Sequence, residues 1–164
     1  MAAKFLMNEL LNVYDEAFTA RLGAGTMTAS AANKYGNTEV GKPVKLVGES
    51  RYDLAVAGDQ IEGFIVAVEP ATSDDYNLGT VRPEGRKAVV FDGLQATPGT
   101  GTVAIGDYVV SGSITAQNTA LGAGPKVCKA TTQTGMYYAW RVISLGTVGT
   151  GAVGTVGVID RINR

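Results

Sequence analysis

Leu54-Ala-Val-Ala-Gly58-Asp59-Gln-Ile-Glu-Gly63-Phe-Ile-Val-Ala-Val-Glu69 reads as strand, glycine turn, strand. Gly58-Asp59 turns the chain cheaply, because glycine tolerates positive φ and aspartate bonds its own backbone. Gly63 then opens a run of β-branched and aromatic residues, Phe64 to Val68. The same device returns at Val103-Ala-Ile-Gly106-Asp107-Tyr-Val-Val110. Two Gly-Asp turns, each leading into a valine-rich strand, predict a mainly β protein: a compact antiparallel β-barrel or sandwich that carries function on its surface.

Outward from this stretch the pattern continues. Lys42 to Val47, Tyr52 to Val56, Ile61 to Val68, Arg86 to Phe91 and Thr102 to Ile105 read as strands. So do Tyr108 to Val110, Val127 to Lys129, Tyr137 to Ser144 and Val153 to Ile159. Many short strands punctuated by glycine turns are the mark of all-β architecture. Pro70 to Gly85 is polar and reads as a long surface loop. Trp140 offers the largest apolar surface in the chain and is the expected core anchor.

The N-terminal region reads differently. Residues 1–23 form the expected helix. Asn8 suits the N-cap, Glu9 the positive end of the dipole and Gly23 the C-terminal stop. Leu11, Tyr14, Phe18 and Leu22 recur at helical spacing as one apolar stripe. Such a helix either packs on its own barrel or docks on a partner protein. Residues 24–38 carry few large apolar groups and read as an extended arm. The expected division is therefore 1–38, helix and arm, and 39–164, the β domain.

Composition narrows the function. The chain has 164 residues, enough for one compact core. Only 18% of residues are charged and the net charge is −1, so attraction to nucleic acid or to an anionic membrane is not expected. So small a charge gives little protection against self-association, which suits a protein that sits in an assembly. There is no histidine, which removes the commonest general base and neutral metal ligand. Cys128 is the only cysteine, so neither a disulfide framework nor a thiolate zinc site is expected. No apolar run is long enough for a signal peptide or a membrane span. A protein made in a cytoplasm, with no cofactor and no metal, is expected.

Each candidate motif has a plainer explanation. Gly149-Thr-Gly-Ala-Val-Gly154 matches the dinucleotide fingerprint as a string. That fingerprint needs a helix after it, and here strand-like Thr155 to Ile159 follows, so a hairpin turn is preferred. Asp74 and Asp75 offer oxygen ligands for calcium but lack the spacing of a regular loop site, and read as a solvated acidic loop. Asp59 and Asp107 are turn-formers, and nothing places Asp59 and Glu62 together in a cleft. Arg82, Arg86 and Lys87 form one basic cluster, and Arg161 and Arg164 another. Both read as solvated, with an acidic partner surface as the sharper alternative. Cys128 reads as a small apolar residue without an activating base.

Taken in order, Gly41-Lys-Pro-Val-Lys-Leu-Val47, the Gly58-Asp59 stretch, Val103 to Val110, Arg141-Val-Ile-Ser-Leu-Gly146 and Gly151-Ala-Val-Gly-Thr-Val-Gly-Val-Ile159 carry a likeness. Over roughly residues 40–160 the chain resembles the small β-barrel decoration (cement) proteins of tailed-bacteriophage capsids. The resemblance implies a structural virion protein, not an enzyme. It would sit on the outside of the capsid and clamp neighbouring subunits of the major capsid protein, its implied partner. It would act as a homo-oligomer, with a trimer favoured. Residues 1–38, through Leu11, Tyr14, Phe18 and Leu22, are expected to supply the main capsid contact. The alternatives are a head-fibre base or tail component and, from another class, a carboxylate-based hydrolase.

Overall fold

The computed structural model describes residues 17–23, 35–49, 51–69, 78–113, 124–131 and 139–162. These residues are mainly β, arranged in two sheets. The first sheet holds β1 (Phe18–Leu22), β2 (Pro43–Gly48), β3 (Arg51–Leu54), β4 (Gly63–Glu69) and β5 (Leu78–Arg82). The second holds β6 (Arg86–Leu94), β7 (Thr97–Pro98), β8 (Val109–Ser111), β9 (Lys126–Lys129), β10 (Trp140–Ser144) and β11 (Val156–Arg161). A single 3₁₀ turn, Asn37–Glu39, precedes β2.

The first sheet runs β1-β3-β2-β4-β5, and β1 pairs with β5 as well as with β3, so its pairings close on themselves. The second runs β10-β11-β6-β9-β8, and a bridge between Tyr108 and Arg141 joins its two ends. The antiparallel expectation holds for most pairs, with two corrections. β1 lies parallel to β3, and β6 lies parallel to β9. Both parallel pairs join strands far apart in sequence, where no tight hairpin dictates direction.

The first core packs Ala20, Leu22, Val44, Ile65 and Val81, flanked by half-buried Tyr35, Tyr52, Leu54 and Val68. The second packs Val89, Phe91, Val103, Val109, Val127, Trp140, Val142 and Ile159. Ile61 and Phe64 reach into this second core from the first sheet's side of the chain. Trp140 meets the Phe64 ring edge-on at 5.1 Å and donates its indole N–H to the Ile61 carbonyl at 3.1 Å. Trp140 is thus the core anchor expected of it, and it also ties the two sheets together.

The helix expected over 1–23 is corrected where the structure describes it: Phe18–Leu22 is a strand. Phe18 and Leu22 are four residues apart, and that spacing puts two side chains on one face of either a helix or a strand. The tie is broken by Ala20, buried between them, and by Gly79 on β5, which seats Leu22. A Cβ at Gly79 would lie 2.3 Å from Leu22 Cδ1. Residues 1–16, with Leu11 and Tyr14, lie outside the described residues.

Other expectations shift as well. β5 occupies part of the expected 70–85 loop, because Leu78-Gly-Thr-Val-Arg buries one large side chain, Val81, and pairs with β1 and β4. The expected strand at Thr102 to Ile105 is a single bridge, Thr102 to Ala152, followed by a turn. At the arm's C-terminal end the chain is tied down. Tyr35 packs on the first core and its hydroxyl donates to Asp53.

Candidate functional site

Among the described residues, four turns share one hydrogen-bond pattern. In the turn at Val56–Asp59, the Asp59 N–H donates to the Val56 carbonyl and Gly58 sits at φ 87°. The turn then grips one residue of another strand. The Gly58 N–H donates to the Ser111 carbonyl, and the Ser111 N–H donates to the Asp59 carbonyl. The turn at Ala104–Asp107 grips Val142 in the same way, through Gly106 and Asp107. The turn at Ala152–Thr155 grips Phe91 through Gly154 and Thr155, and the turn at Glu39–Lys42 grips Ile65 through Gly41 and Lys42. A turn of this kind needs positive φ at its third residue, and glycine supplies it in all four. Gly58, Gly106 and Gly154 recur 48 residues apart.

The expected Gly-Asp turns are two of these four. Asp59 accepts the Val56 N–H at 2.8 Å and pairs with Lys45 at 2.7 Å. Asp107 accepts the Ala104 N–H at 2.8 Å and pairs with Lys129 at 2.9 Å. In the turn at Ala152–Thr155 a threonine replaces the aspartate, and its hydroxyl donates to the Ala152 carbonyl at 2.7 Å. That turn lies in the stretch that matched the dinucleotide fingerprint. β11 follows it, so the preferred turn reading stands.

The turns at Ala104–Asp107 and Ala152–Thr155 stand side by side at one end of the second sheet. Thr102 bridges Ala152, and the Val103 N–H donates to the Gly151 carbonyl at 2.9 Å. The backbones are so close that a Cβ at Gly151 would lie 1.6 Å from the Val103 carbonyl oxygen. Gly93 to Gly106 and Val142 to Ile159 contain no charged residue. Their meeting makes an end dominated by glycine, threonine and aliphatic side chains, with the Asp107–Lys129 ion pair as the charge beside it. Ile105 is 66% exposed and Val148 63%, and Val153 and Val156 are exposed beside them. Backbone bonds hold the loops, so the apolar side chains are left facing outward.

The stripe expected to dock on a partner is divided. Leu22 is 5% exposed and enclosed in the first core, while Phe18 is at the surface with its ring 5.6 Å from Tyr52. Leu11 and Tyr14 lie outside the described residues, as do Asp74, Asp75 and Arg164. Asp59 and Glu62 do not converge. Asp59 is taken by Lys45, and Glu62 accepts from Gln60 at 2.8 Å. Among the described residues no group of three or more carboxylates and cysteines could hold a metal. Cys128 is fully buried and its thiol points at the Asp92 carbonyl. Burial, and then the Asp92 charge, push its pKa up to about 11, which leaves the thiol unreactive near neutral pH.

Neither uncharged stretch carries a motif that marks it as a site in the sequence. Each is visible as a run without Asp, Glu, Lys or Arg, but their meeting depends on pairing between residues far apart in the chain. No protein-family model matches the chain, and no curated protein matches its sequence.

Proposed function

We propose that the protein is a structural virion component that decorates the outside of a tailed-bacteriophage capsid and clamps neighbouring major capsid subunits. The observation that carries this reading is the uncharged apolar end of the second sheet. Charged residues are depleted from the cores of protein interfaces, because stripping water from them is costly. Ile105, Val148, Val153 and Val156 can be covered without that cost. The turns that present Ile105 and Val153 are gripped by neighbouring strands and Val156 lies on β11, so little ordering is needed there on binding. The resemblance of residues 40–160 to decoration proteins points the same way. A contact through the N-terminal stripe rests on Leu11, Tyr14 and Phe18, since Leu22 is enclosed. A trimer would turn modest affinity per copy into firm attachment through effective concentration.

The test is co-sedimentation with DNA-filled heads and with empty precursor shells. The parent protein is expected to pellet with the filled heads alone. Ile105→Asp combined with Val148→Asp is expected to stay in the supernatant while melting like the parent. Normal decoration by that double variant would remove the uncharged end from the contact. Recovery of the protein with tails instead of heads would favour the tail-component reading.

A further inference from the structure

Lys87 is a cation that the fold half-buries with no carboxylate paired to it among the described residues. It lies on β6 opposite Ile159 of β11. Its ammonium sits 5.3 Å from the centre of the Phe64 ring, across the seam between the sheets. Burial, and then the neighbouring Arg82 charge, hold the Lys87 ammonium below the ordinary lysine range. No carboxylate answers it among the described residues. Glu39, Asp59, Asp92, Asp107 and Asp160 are matched by Lys42, Lys45, Lys126, Lys129 and Arg86. Glu62 accepts from Gln60, and Glu84, in the turn between β5 and β6, makes no ion pair with Lys87.

A third cation completes the seam. Arg161, at the end of β11, donates from Nη1 to the Pro83 carbonyl at 2.6 Å and to the Glu62 carbonyl at 3.5 Å. These bonds fix the guanidinium against the turn that separates Arg82 from Arg86. A desolvated cation is unfavourable unless something compensates it. The face of Phe64 compensates in part. A carboxylate bound at the seam would complete the compensation with a charge-assisted hydrogen bond.

We propose that the seam of Lys87, Phe64 and Arg161 binds a single carboxylate, an Asp or Glu side chain on the surface of a partner protein. A single negative charge fits better than a polyanion. Asp160, paired with Arg86, and Glu62, whose carbonyl holds Arg161, add negative charge near the seam that repels phosphate dianions or a nucleic-acid backbone more than a single carboxylate. The site is separate from the uncharged end. On β11, Val156 marks that end and Arg161 the seam, and on β6, Leu94 and Arg86 do the same.

The experiment uses the whole chain with lysine and tryptophan side chains isotopically labelled for NMR. The probes are a blocked tetraglutamate peptide, the matching tetraglutamine peptide and inorganic phosphate. The tetraglutamate peptide is expected to shift the Lys87 ε-methylene and the Trp140 indole N–H saturably, and to raise the Lys87 pKa toward the ordinary lysine value. Tetraglutamine is expected to shift neither, and phosphate to bind at least five-fold more weakly than tetraglutamate. Lys87→Met keeps the aliphatic stem over Phe64. It should weaken the peptide at least ten-fold, read at Trp140, without lowering the melting temperature. Lys87→Arg should keep most of the affinity. Equal shifts at every lysine, equal effects of the two peptides, or parent-like binding by Lys87→Met would each overturn the proposal. So would a clearly lower melting temperature for Lys87→Met, because the lysine would then be part of the packing. Capsid binding plays no part in these readouts, so the decoration reading stands or falls separately.

Discussion

The two ends of the second sheet are built on different plans. At the seam end, large side chains do the joining: Trp140 on Phe64, the Trp140 indole on Ile61, and Arg161 on Pro83 and Glu62. At the uncharged end, the backbone does it, through gripping turns and the contact of Gly151 with Val103. Side-chain joints consume the residues that make them. Backbone joints leave side chains over, and at this end the leftover ones are apolar and exposed. The contrast explains how one small sheet holds a cation site at one end and an uncharged face at the other.

The sharpest way to probe the contrast is to remove the main joint of each end. Trp140→Ala should cost about 3–5 kcal/mol, the usual range for truncating a large buried aromatic. Chemical denaturation measures it, and a cost below about 1 kcal/mol would show that Trp140 does not join the sheets. Gly151→Ala forces a methyl group against the Val103 carbonyl. Overpacking of this kind costs about 1–3 kcal/mol, and hydrogen exchange should quicken around Val103 and Gly154 before it does around Trp140. If both substitutions open both ends equally, the ends are one cooperative unit and the contrast fails.

A smaller effect is expected from Asp107→Ala. It removes the bond to the Ala104 N–H and the Lys129 pair, at a cost of about 1–2 kcal/mol since the carboxylate is only partly shielded. Asp59→Ala should behave alike, because its turn is built the same way. Thr155→Ala should cost about 1 kcal/mol, as a neutral hydroxyl is all that is lost. Melting of the three variants side by side checks the order, and a Thr155 effect above that of Asp107 would mean the carboxylates are incidental to the turns.

The smallest expected effect belongs to Cys128, between the two ends. Its thiol is harder to ionise in the fold than in the unfolded chain. The fold therefore holds the proton longer, and stability is full below the unfolded thiol pKa near 9 and falls as pH rises toward about 11. Melting temperature followed from pH 8 to 11 should drop less in Cys128→Ala than in the parent. Parallel curves would show that other groups set the alkaline limit.

Legibility in the sequence followed the same divide. Trp140 was readable because bulk and apolarity announce a core residue. Gly58-Asp59 and Gly106-Asp107 were readable because glycine and aspartate together name a turn. Gly154-Thr155 forms the same turn, but threonine carries no such signal, and Gly41-Lys42 carries even less. β1 was misread because Phe18 and Leu22 fit two periods at once. β5 was missed because its burial depends on Gly79 accommodating Leu22 from a strand that could not be paired with it beforehand. Lys87 was visible as one of a basic cluster, yet its isolation from acids depends on which partners the fold gives to all the others.

The gripping turns also bear on how the chain reaches this state. Gly58 holds Ser111, Gly106 holds Val142 and Gly154 holds Phe91, so every grip joins residues remote in sequence. Such joints form only after long stretches of chain have been brought together, and topologies dominated by them fold in milliseconds to seconds. Grips that form after the rate-limiting step would also have to break before it in reverse. Their stabilisation therefore slows unfolding without speeding folding. A body whose grips close after the rate-limiting step is slow to form and slower to come apart, and its lifetime once folded is set by those turns.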